Sequence, residues 1–290
     1  MKLVIKFNLV FLGVFLLGLL VAGLVSRALL QNNARDEIVQ HARIMMEAAL
    51  STRSYTSGQI KPLLETQMKY VFLPQSVPAY AATEYFNDLR KKYPEYSYKE
   101  ATLNPTNPRD RANDWEADMV GKFRQDAEQK EIIGERETPT GRVLYLARPI
   151  QIKSEACLAC HSTVEAAPKT MLDAYGNANG FGWKLNEVVG AQILSVPTLV
   201  PIQRADDAFK AFMLSLTGVF IFIFVALNLM LSYIVIGPIT RLSHIADQVS
   251  LGNLDVPEFV THSKDEIGML SNSFSRMRKS LTKAMKMLEE

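Results

Sequence analysis

The sequence predicts an α+β domain held between two membrane-spanning helices and followed by a pair of amphipathic helices. Three observations carry that reading. Apolar stretches of spanning length stand at 7–25 and 211–236. Between them, helical periodicity gives way to short alternating runs set off by proline, glycine and asparagine. Behind the second stretch, apolar residues return at three- and four-residue intervals in an otherwise polar segment. These features divide the 290 residues into an N-terminal span at 1–28, a folded domain at 29–210, a second span at 211–236 and a helical module at 237–290. A content of 32 Lys+Arg against 30 Asp+Glu, net +2, offers no electrostatic basis for nucleic-acid binding.

Lys2 and Lys6 precede the first apolar run, Phe7 to Val25, which only Asn8 and the small residues Gly13, Gly18, Ala22 and Gly23 interrupt. A cleaved signal peptide shares a charged start and an apolar run. This run is long for that role, and a retained helix pairs with the second span to bring both chain ends to one side. The second run, Ala211 to Ile236, carries no charge until Arg241 and is apolar all round, as lipid requires and a soluble helix does not. Lys2, Lys6, Arg241, Lys264, Arg276, Arg278, Lys279, Lys283 and Lys286 flank the spans on one side. The positive-inside rule then places both termini in the cytoplasm and residues 26–210 in the periplasm, in a multi-pass protein of the inner membrane.

Within the domain, residues 31–68 read as helix. Ile38, Ala42, Met45, Ala49, Thr52 and Thr56 form one face, and Pro62 ends or kinks the helix. A second helix is expected over 77–92 with Ala79, Ala82, Phe86 and Leu89 inward. Residues 96–101 alternate as a strand, and Asn104–Asp110 is a turn-rich loop. Asn113 or Asp114 caps a helix running to about Lys130 through Trp115, Met119 and Phe123. Residues 131–136 and 142–152, joined by Thr138-Pro139-Thr140-Gly141, read as an antiparallel hairpin, and a last strand is expected over 188–196. Helices flanking a small antiparallel sheet make an α+β domain compatible with a PAS-like fold.

Directly behind the hairpin comes Cys157-Leu158-Ala159-Cys160-His161. Cys-x-x-Cys-His is the attachment signature of c-type haem: two thiols form thioethers to the porphyrin and the adjacent imidazole ligates iron. The sequence holds no other cysteine. A closed zinc site would need four Cys or His ligands, and a dithiol catalyst would leave His161 without a task. The expectation is therefore one covalent haem c per chain, bound by Cys157, Cys160 and His161, with His161 the proximal iron ligand. On the periplasmic side the other face of the iron can draw on Met45 or Met46, or less readily on His41, or can stay open. His244 and His262 fall in the cytoplasmic module. The run Gly176–Gly182, with Phe181 and Trp183, suits a loop lying against a flat ligand, and serves equally as plain turns.

Two resemblances extend these readings. Past the second span, Gly237-Pro238, the connector Gly252-Asn253-Leu254-Asp255-Val256 and Asp265-Glu266-Ile267-Gly268 stand in register, followed by Phe274, Met277, Leu281 and Met285. This resembles a HAMP domain, which implies a parallel homodimer of four helices relaying transmembrane signals. Arg53-Ser54-Tyr55-Thr56 with Pro62, the run from Lys99 to Arg109, Ala147-Arg148-Pro149-Ile150, Cys157 to His161, and Gly180-Phe181-Gly182-Trp183-Lys184 are similar to a family of membrane-anchored periplasmic c-haem domains of PAS-like fold, long catalogued as a domain of unknown function. They lie across most of residues 38–200. That resemblance implies a sensor of redox state or of a small gas, and leaves the distal ligand open because ligation varies among such domains.

The function expected is non-enzymatic: a haem sensor that dimerises through its membrane helices and HAMP and hands its signal to a cytoplasmic partner in trans. A membrane-tethered electron carrier explains the haem but not the HAMP. A peroxidase would need a distal acid–base pair.

Overall fold

In the computed structural model the described residues are 3–126, 128–139, 141–253, 255–257 and 265–289. Lys2, Thr140 of the hairpin turn, Leu254 of the connector, and His262 and Lys264 lie outside them. The chain forms two compact units, Ala28–Ala208 and Met1–Arg27 with Phe209–Glu290.

The unit Ala28–Ala208 is built on one antiparallel sheet. Its strands are β1 (Ser97–Thr102), β2 (Ile132–Thr138), β3 (Gly141–Gln151) and β4 (Val188–Pro197), in the order β1-β4-β3-β2. Because side chains alternate along a strand, the sheet has two apolar faces. Tyr98, Leu144, Leu146, Leu194 and Val196 point to one, against Ile38, Ala42, Met46 and Ala49 of α1 (Leu3–Tyr55) and Ala82 and Phe86 of α3 (Pro78–Arg90). Ala101, Ala147, Ala191 and Ile193 point to the other, against Val120 and Phe123 of α4 (Asp114–Gln125). The result is a helix–sheet–helix arrangement, the α+β class expected from sequence.

Local chemistry sets the element ends. Asn113 opens α4 with a capping box: its side chain accepts from Glu116 N at 3.2 Å, and Glu116 Oε2 accepts from Asn113 N at 2.9 Å. The helix stops at Gln125, not near Lys130, because Asp126 turns extended at φ −127°, ψ 97°. Gly190 lets β1 and β4 close, since a Cβ there would strike the Ala101 carbonyl. Pro62 does not itself end a helix. A π-helical turn at Thr56–Ile60 interrupts the coil first, and Pro62 sits in the opening turn of α2 (Lys61–Met68), where its missing N–H costs nothing.

One expectation about α1 is corrected. Met46, not Met45, is the methionine buried in the core, at 0% exposure, while Met45 packs at its edge. The helix buries Ala34, Ile38, Ala42 and Met46, an i+4 row, so the contact stripe winds across the helix instead of running straight along it.

In the other unit, the first part of α1 and α7 (Leu199–Met230) are both long and apolar enough to cross a membrane. Phe15 stacks on Phe220 at 5.2 Å, and Gly18 and Gly23 face Phe220 and Met213. α8 (Gly237–Ser250) turns Leu242, Ile245 and Val249 toward Val256 and Phe274 of α9 (Glu266–Glu289), and Arg278 donates to the Val256 carbonyl at 2.7 Å.

Emptying the Met46 site leaves a cavity, so Met46→Ala is expected to cost about 3 kcal/mol and Met45→Ala less than about 1 kcal/mol. Chemical denaturation of the two variants checks the difference; equal losses would contradict this packing.

Candidate cofactor site

The helix α5 (Glu155–His161) begins where Ser154 turns its side chain to cap it, accepting from Ala156 N at 3.2 Å. Cys157, Cys160 and His161 then fall at i, i+3 and i+4, on one helical face. Both thiols are free and half-buried. Burial pushes the Cys160 thiol up from its ordinary range, against the opposing pull of Lys61. Among the described residues no group of three His, Cys, Asp or Glu could hold a bare metal ion.

His161 is held more closely than either cysteine. Its Nδ1 lies 2.8 Å from the Gly180 carbonyl oxygen, with Thr106 Oγ1 at 3.4 Å. A carbonyl only accepts, so Nδ1 carries the hydrogen and Nε2 keeps its lone pair. The ring stacks on Trp183 at 4.0 Å and 16°. Burial lowers the His161 pKa from its ordinary value, which the bond to Gly180 only partly opposes, and this favours the neutral imidazole a metal needs.

Two loops make this cradle. Trp183 N donates to the His161 carbonyl at 3.1 Å and Gly182 N to Ser162 at 2.9 Å, stapling the 180–183 segment to the end of α5. Asn104 holds the same segment from the other side: its Oδ1 accepts from Gly180 N and its Nδ2 donates to the Phe181 carbonyl, both at 3.3 Å. Gly180 has φ +88°, and a Cβ on it would lie 2.9 Å from Thr106 Cα. This glycine is needed for conformation and for close approach together. The glycine-rich stretch therefore places Trp183 beneath the imidazole. Thr106, Asn104 and the Gly180 carbonyl escaped assignment from the motif because they act through loop geometry, which spacing does not encode.

The other sequence candidates are scattered. Met46 lies in the sheet core, Met45 at its edge, and His41 on the exposed side of α1. Two arginines of the family-like stretches are engaged elsewhere, Arg53 with Glu100 and Arg148 with Glu47 at 2.6 Å and Glu131 at 3.1 Å.

The Tll0287-like family matches residues 31–197, and the HAMP domain matches residues 230–283. A solved structure described as "Crystal structure of the cyanobacterial heme-protein Tll0287" aligns with a TM-score of 0.43 and 14% identity, over 56% of this chain and 95% of that one. No curated protein matched.

Two outcomes test this geometry. Gly180→Ala is expected to break the Nδ1–H bond, because the left-handed backbone and the Thr106 contact both resist a methyl; the imidazole ¹⁵N shifts of His161 would then report mixed tautomers in place of one. The second concerns Asp110, 18% exposed in the turn Pro108–Asp110, whose carboxyl burial pushes from 3.8 to about 6. Between those values the folded state holds a proton that the unfolded state has released, so stability falls as pH rises through the window and stays lower above it. Asp110→Asn should therefore stabilise the protein at pH 7 by on the order of 2 kcal/mol and have little effect near pH 4. Denaturation midpoints at the two pH values check the sign.

Proposed function

The chain belongs to the Tll0287-like family over residues 31–197, and from that premise we propose that it is a membrane-bound c-type haem sensor that signals through its HAMP domain. The observation that carries this reading is the His161 geometry: Nδ1 committed to the Gly180 carbonyl, Nε2 left free, and two unpaired thiols on the same face of α5. The name of the family's solved namesake, a cyanobacterial heme-protein, agrees with it.

In this reading Cys157 and Cys160 attach the porphyrin, and His161 Nε2 is the proximal ligand. When bound, haem supplies a one-electron couple and an iron whose second face accepts a small ligand. The protein's own residues do the rest. Gly180 orients His161 and raises its basicity by accepting Nδ1–H, and Trp183 fixes the ring plane. For the distal face Met45, at the edge of the core, and His41, exposed on α1, stay candidates, whereas Met46 would have to leave a packed core site at a cost of about 3 kcal/mol. With none of them bound, the iron is open to a gas.

The flanking elements supply the route outward. α1 leads from the first span to the site, and β4 leads into α7 and from there to α8 and α9. Met277, Leu281 and Met285 remain exposed on α9, an apolar stripe that a second copy would cover in a HAMP four-helix bundle. We place residues 29–210 in the periplasm and both termini in the cytoplasm, where a separate signalling partner would read the dimer.

Expression with the haem-maturation machinery is expected to give a cytochrome spectrum that disappears in Cys157→Ala with Cys160→Ala. His161→Ala should leave haem attached but high-spin and shifted. Single Met45→Ala, Met46→Ala and His41→Ala spectra select the sixth ligand. A chain that shows no haem absorbance in the wild type would sink the reading.

A further inference from the structure

The two apolar helices meet along one seam. Phe15 stacks on Phe220 at 5.2 Å and meets Phe224 edge-on at 6.2 Å, and a Cβ on Gly18 or Gly23 would lie 3.4 Å from Phe220 or Met213. The contacts run in opposite directions along the two helices, so the pair is antiparallel and these residues define its register. Coverage follows the same line. Val4, Asn8, Phe11 and Phe15 of α1 and Met213, Phe220, Phe224 and Asn228 of α7 are half-buried, whereas Val10, two residues from Asn8, is 62% exposed. Steps of three and four residues are those of a coiled-coil seam.

Two turns along the seam from Phe15 stands Asn8, and the same distance beyond Phe220 and Phe224 brings α7 to Asn228, so helix geometry sets the two amides at one level. Among the described residues, Asn8 Oδ1 is the one buried side-chain nitrogen or oxygen without a hydrogen-bond partner. Its neighbours along the seam, Val4, Phe11, Phe224 and Leu231, carry no side-chain donor. Asn228 does. Its Nδ2 donates to the Phe224 carbonyl at 2.9 Å, and a second N–H stays on the same nitrogen. Hydrocarbon offers an idle acceptor no water, so the donor has to come from the helices themselves. The place also matters, because a π-helical turn at Leu231–Ile236 follows directly and Gly237-Pro238 then open α8.

We propose that Asn8 and Asn228 form an amide clasp inside the membrane, Asn228 Nδ2 donating to Asn8 Oδ1, which fixes the register of the first span against the second just ahead of the HAMP helices. This rests on the reading of both helices as membrane spans and is independent of the haem. A slide of one turn would set Asn8 against Phe224 or Leu231 and leave both amides among apolar groups. Such a bond adds little strength in a membrane. Its use is selectivity, as a lone Asn in a coiled-coil seam excludes other registers. With the clasp closed the two spans move as one body at this level, so a signal reaches α8 as rotation or tilt of the pair and not as one helix sliding past the other.

The test uses the full-length chain in bacterial membranes with paired cysteine substitutions, oxidised by copper phenanthroline and read as linked peptides by mass spectrometry after digestion. Asn8→Cys with Asn228→Cys is expected to join within one chain about fivefold more than Val4→Cys or Val10→Cys with Asn228→Cys, since a disulfide needs a short Cβ separation. A second readout sets Gly23→Cys with Met213→Cys, neighbours across the seam, against Gly23→Cys with Thr217→Cys, displaced by one turn. Asn8→Leu or Asn228→Leu should lower the preference for the native pair by about twofold, and the two together no further, because one bond is shared. Linking at position 228 without preference for position 8, an unchanged preference in the leucine variants, or a chain-to-chain disulfide as the main product of Asn8→Cys alone overturns the clasp and leaves the spans in place. Release of the chain from membranes by alkaline carbonate overturns the membrane reading with it.

Discussion

One hydrogen bond, from His161 Nδ1–H to the Gly180 carbonyl, governs what the site can be. It decides which imidazole nitrogen has a lone pair to offer, and it holds because the backbone at Gly180 turns with a positive φ and passes closer to Thr106 than any side chain would allow. Asn104 then satisfies the peptide groups on either side of that carbonyl, and Trp183 occupies one face of the ring. The motif residues on α5 supply reactive atoms; the loops at 104–107 and 180–183 supply orientation. Without the second set, a Cys-x-x-Cys-His helix would present a rotating imidazole.

The sheet gives that site a frame. Its two faces are filled by helices from different parts of the chain, and the strand beside the centre, β4, is contacted on both edges, by β1 and by β3. Movement of β4 therefore involves the whole sheet, and movement of α1 involves the i+4 row Ala34, Ile38, Ala42 and Met46 seated on it. Packed cores repack in discrete steps, so α1 and β4 would shift together with the layers they are seated in. In the chain, the HAMP match at residues 230–283 begins at the end of α7, the helix that follows β4.

Much of this was legible in the residues. The strands could be recognised because Tyr98, Leu144, Leu146, Leu194 and Val196 alternate with residues of the other face, and a period of two admits few other readings. The capping box of Asn113 and Glu116 was visible as a cap, though the end of that helix was not, since Asp126 leaves the helix without a proline or glycine to announce it. Met45 and Met46 show where periodicity fails. Both positions fit a helical face, and only the oblique crossing of α1 over the sheet selects Met46. Likewise, the sequence marked His161 as a ligand but not Gly180 or Thr106 as its supports, because they meet it from 19 and 55 residues away. The Arg53–Glu100 contact, bridging α1 and β1, was equally beyond any local pattern.

We propose that this cradle holds a haem fixed to α5 by two thioethers. Intact-mass measurement of the denatured, full-length chain after expression with the maturation machinery tests it most directly. The expected result is the polypeptide mass plus a single haem, with the haem-bearing peptide spanning Cys157 to His161 after digestion. An unmodified mass, or a haem that separates from the chain on denaturation, would contradict it.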